Sequence, residues 1–62
     1  MKKPVEILCE TVWEFGTNNL TQRSMQVMEY QIAMESLAET HGNDNVDVYR
    51  DRENNKLLYF LK

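Results

Sequence analysis

From Gln22 to His41 the chain runs without a Gly or a Pro, and Ala, Met, Gln, Glu and Leu dominate. Such a stretch reads as one long helix. Thr21 is placed as its N-cap, with Leu20 folding back onto Met25 as a staple. His41 stands in the last turn, where a cation suits the helix dipole, and Gly42 follows as the terminating residue. A helix of this length spans roughly 30 Å. It takes up a third of a 62-residue chain, so everything else must be built from two short segments.

The last segment reads as a β-hairpin. Val46, Val48 and Tyr49 lead in, and Leu57 to Leu61 lead out. Asn54-Asn55 between them suits a two-residue turn with positive φ, which sets Glu53 opposite Lys56. The first segment, residues 5–15, fits two periods. As a strand, Val5, Ile7, Cys9, Trp13 and Phe15 share one side, and Glu6, Glu10 and Glu14 fall on the other. As a helix, Val5, Leu8, Cys9, Val12 and Trp13 share a face, and Pro4 and Gly16 punctuate its ends. The β-forming residues Val, Ile, Thr, Trp and Phe favour the strand. So do Lys2 and Lys3, which would stand at the wrong end of a helix dipole. The expected fold is α+β: a single domain over residues 1–62, ordered β-α-β-β, with a three-stranded sheet and one helix on one face. The alternative is α-α-β-β.

A domain this small buries only about 60% of its unfolded surface, so its stability is marginal without a staple. One Cys and one His make neither an internal disulfide nor a four-ligand zinc site. The apolar residues nevertheless exceed what one helix on one sheet can hide. Val27, Tyr30, Met34, Leu37 and Ala38 form a core face of the helix, while Met25, Met28 and Ile32 form a separate stripe. Gln22, Gln26 and Glu29 lie on the flank between the two. In the final strand Leu57, Tyr59 and Leu61 point one way, and Leu58 and Phe60 the other. A helix covers one side only. Leu8, Val12, Leu58 and Phe60, with Met25, Met28 and Ile32, therefore form the expected interface to a partner.

The chemistry of catalysis leaves no pattern here. Cys9 in an alternating apolar segment reads as a buried, inert thiol. His41 reads as a helix-end residue. Asn43-Asp44-Asn45-Val46-Asp47 lacks the spacing, the central Gly and the terminal Glu of a calcium loop. Two glycines make no phosphate loop. No catalytic residue, metal, cofactor or small-molecule substrate is expected. The charge of -3 argues against direct nucleic-acid binding, although Arg50, Arg52 and Lys56 share the hairpin tip. The converse is an acidic surface of Glu6, Glu10 and Glu14 that mimics nucleic acid in a basic cleft, and -3 is equally ordinary for a solvated face. No apolar run approaches the roughly 20 residues that cross a bilayer. Pro4 and Glu6 interrupt the N-terminal run that a secretory signal needs. The expectation is a cytoplasmic, bacterial or phage protein of inhibitor or adaptor type. It acts by protein binding, as a homodimer or as a cap on a larger protein.

Overall fold

A computed structural model describes residues 2–62 of the chain. The order is β1 (Cys9–Val12), α1 (Leu20–His41), a 3-10 turn (Asn43–Asn45), β2 (Val46–Asp51) and β3 (Lys56–Leu61). This is the β-α-β-β arrangement, and residues 9–12 are strand, not helix. The three strands form one antiparallel sheet in the order β1-β3-β2. The last strand is thus the central one.

Register sorts the side chains. Cys9 and Thr11 of β1 stand opposite Tyr59 and Leu57, and Val48 and Arg50 of β2 stand opposite the same two residues. These side chains share the helix side of the sheet. Tyr30 of α1 stacks there, tilted, on Tyr59 with ring centroids 6.3 Å apart, and meets Trp13 edge-on at the same separation. Among the described residues the buried apolar side chains are Val46, Leu57, Leu58 and Tyr59. All four come from β2 and β3.

The helix begins two residues earlier than its composition indicates. Asn19, not Thr21, is the N-cap, and its side chain accepts the Gln22 amide at 3.0 Å. An Asn cap is as good as a Thr cap, and starting at Leu20 lets Asn19 close the turn. Gly42 ends the helix at φ 91°, donating its N–H to Ala38. The packed face also differs from the apolar count. Gln26 is buried, whereas Val27, expected in the core, is exposed. The Gln26 Oε1 accepts the Glu14 N–H at 2.6 Å and the Gln22 Nε2 at 3.1 Å. The helix is rolled so that this carboxamide holds the β1–α1 connection.

Two further expectations need correction. The hairpin loop has four residues, Arg52 to Asn55, because Asp51 pairs with Lys56. The Asp51 carboxylate accepts both the backbone N–H and the side-chain amide of Asn54, at 3.3 and 2.9 Å. That local chelate closes a wider loop than a two-residue turn, and only Asn55 takes positive φ, at 53°. The second correction concerns Leu58. It points away from the helix, as expected, but it is only 2% exposed.

The cause lies before β1. The Leu8 N–H donates to the Tyr59 carbonyl at 2.7 Å, at one end of the sheet. The Lys3 amine sits 3.4 Å from the Asp51 carboxylate, at the opposite end and on the opposite edge strand. Residues 3–8 therefore pass diagonally over the open face as an arm, with Leu58 at the centre of the strand beneath.

Candidate interaction surface

The interface residues read from the sequence are split by the structure. Met25, Met28 and Ile32 are 55, 61 and 61% exposed. They stand one turn apart on the side of α1 turned away from the sheet. Leu8 and Val12 are exposed at the β1 edge, and Phe60 is half-buried on the open face. Leu58 is removed from the surface by the arm. The helix stripe and the β1 edge lie on opposite sides of the sheet, so they are two patches and not one continuous interface.

The arm that hides Leu58 brings apolar residues of its own to the surface. Val5 is almost wholly exposed, and Ile7 is exposed beside it. A strand reading assigns both to the inward side, and strand geometry stops before reaching them. Among the described residues, ten large hydrophobic side chains are exposed and four are buried. The core is thus small, and the surplus surface that composition implies is present.

The three glutamates come from separate segments. Glu6 lies in the arm, Glu10 in β1 and Glu14 in the β1–α1 connection. Glu10 is neutralised by Lys56 at 2.8 Å, which holds the Lys56 amine above its ordinary pKa. Of the hairpin-tip cations, Lys56 is therefore engaged, and Arg52 lies over the Phe15 ring at 5.0 Å. Around the helix stripe the charge is one-sided. Glu29, Glu35 and Glu39 occupy the same half of α1, and Arg23 is the helix's lone Lys or Arg, near its start.

Cys9 is half-buried, and burial, with the Glu10 charge as the lesser cause, pushes its thiol pKa up. A raised pKa leaves less thiolate at neutral pH. Tyr59 donates to or accepts from the Thr11 hydroxyl at 2.8 Å. Burial raises the phenol pKa more than that bond lowers it. Among the described residues no three His, Cys, Asp or Glu side chains converge on a point that could hold a metal ion. No helix among them is long and apolar enough to cross a membrane.

A cleft of about 590 Å3 opens between α1 and β2. Trp13, Tyr30, Met34 and Leu57 form its apolar walls, and Val48 and Arg50 lie along its β2 side. Sequence reasoning missed it, because its depth depends on how far the helix sits from the β2 edge. Comparison with protein families, curated proteins and solved structures finds no match to this chain. Its functional reading therefore rests on its own geometry.

Proposed function

We propose that this chain is a non-enzymatic protein–protein interaction module, of small-inhibitor or adaptor type, that self-associates or caps a larger protein. The observation that supports this is the outward stripe of Met25, Met28 and Ile32, each more than half exposed on a chain whose core is so small. At roughly 25 cal/mol per Å2, covering a few hundred Å2 of such surface is worth several kcal/mol. That is comparable with the whole stability of a domain this size. Methionine's unbranched, polarizable side chain suits a surface that moulds itself to a partner. Glu29 and Glu35 near the stripe favour a partner whose apolar ridge is rimmed by Lys or Arg.

The test is Met28→Lys and Ile32→Lys, singly and together. Both sites are exposed, so circular dichroism should show the helix intact. The partner that co-purifies with the wild-type chain should be lost, and raising the salt concentration should weaken its capture. Retention of the same partner by the double variant would sink this reading.

A further inference from the structure

We infer that two copies of this chain join through their β2 edges into a continuous six-stranded sheet, in a single register with Val48 on the two-fold axis. The inference refines the self-association half of the reading above and places that contact on a different surface from the helix stripe.

The free backbone groups of β2 follow from hydrogen-bond alternation. The Lys62 N–H donates to the Asn45 carbonyl at 2.9 Å. In an antiparallel ladder, bonded pairs recur every second residue. Asp47, Tyr49 and Asp51 therefore spend their backbone groups on β3, and Val46, Val48 and Arg50 point theirs outward. The Val48 N–H agrees, since it is held by the Asp47 carboxylate at 2.8 Å and not by a strand. Among the described residues no strand covers this edge, since β2 ends the sheet order. It is six residues long, against four for the opposite edge strand β1.

Charge then selects the occupant and its register. Outward-facing residues must pair with outward-facing residues, so two antiparallel copies of β2 slide only in steps of two. Two such registers pair five residues of each strand. The one centred on Tyr49 sets Asp47 against Asp51 of the second copy, and the symmetry repeats that clash. The one centred on Val48 sets Asp47 against Tyr49 and Val46 against Arg50, and no like charges meet. Like charges directly opposite destabilise a strand pair. The edge is thus compatible with itself in one alignment.

The cleft supplies the apolar gain. A two-fold axis through antiparallel edge strands stands perpendicular to the sheet, so both helices lie on the same side. The clefts beside the two β2 strands then meet across the axis. Val48 and the apolar walls at Met34 and Leu57 lose their open side. Asp47 releases the Val48 amide to the second copy and turns toward Tyr49 across the strand pair.

The experiment uses the whole chain. Light scattering after size exclusion, from micromolar to near-millimolar protein, should show a mass rising to twice 7.4 kDa. Val48→Pro removes an outward N–H that the chain's own sheet does not use. It should return the mass to that of the monomer with the circular dichroism unchanged. In a Cys9→Ser background, oxidation should cross-link Val48→Cys to itself, and Tyr49→Cys should stay uncross-linked. A wild-type chain that stays monomeric overturns the proposal even if the proline variant fails to fold. Preferential cross-linking through Tyr49→Cys overturns the register. Neither result touches capture of another protein by the helix stripe, which Met28→Lys and Ile32→Lys read separately.

Discussion

The Lys3 amine stands 3.4 Å from the Asp51 carboxylate, joining the chain's first residues to the far end of its sheet. The pair matters less for its own energy, since Lys3 is half exposed and solvent screens it, than for where it holds the arm. With the arm in place Leu58 is buried.

Leu58→Ala should therefore behave as a core truncation, costing about 2–5 kcal/mol in a urea unfolding curve. Lys3→Ala should change stability little but should speed hydrogen exchange at the Leu8 amide. A Leu58→Ala change that costs no more than a surface substitution would show that the arm does not cover this side chain.

Gln26 anchors the helix through a group that apolar counting passes over. Gln26→Ala leaves the part-buried Glu14 N–H without its acceptor, and losing such a hydrogen bond costs about 0.5–1.5 kcal/mol. Gln26→Glu keeps an acceptor at the same reach and should cost less than alanine. Equal losses for both, measured by thermal unfolding, would mean the hydrogen bond contributes nothing.

Burial is the largest influence on Tyr59, and it raises the phenol pKa. The folded state therefore prefers the protonated ring. That preference stabilises fully below the unfolded value of about 10, and it is lost as pH rises through the higher folded value. Lys56, raised chiefly by its bond to Glu10, is lost over the same alkaline window. Stability should fall above about pH 10, with a late tyrosinate phase from Tyr59 at 295 nm. Tyr59→Phe should abolish that late phase and cost about 0.5–1.5 kcal/mol near neutrality through the lost Thr11 bond.

Asp51 moves the other way. The Asn54 side-chain amide, ahead of Lys3, holds its carboxyl below the usual range. This contribution is present above the unfolded value of about 3.9 and disappears as pH falls through the lower folded value. Asp51→Asn should flatten the acid limb of a stability–pH curve and loosen the Arg52–Asn55 loop. An unchanged acid limb would show that Asp51 does not drive it.

Much of this molecule is local and could be read from residue order. The 20-residue run without Gly or Pro specifies the helix, Gly42 stops it, and the alternation in Val46–Val48 and the unbroken apolar run Leu57–Leu61 specify two strands. Double-sided apolarity in β3 marks a strand covered on both sides, and the structure puts it at the centre of the sheet. The apolar surplus was also legible, because counting side chains against one helix and one sheet needs no coordinates.

Tertiary structure decided which of those side chains are spare. Periodicity assigns a residue to a face, but it cannot say what lies on that face. The Lys3–Asp51 contact spans 48 residues of chain and draws the arm over Leu58, while the roll of α1 exchanges Val27 for Gln26 in the packed face. Both are settled by long-range contacts whose gain depends on how the assembled layers fit, and local pattern carries no term for that.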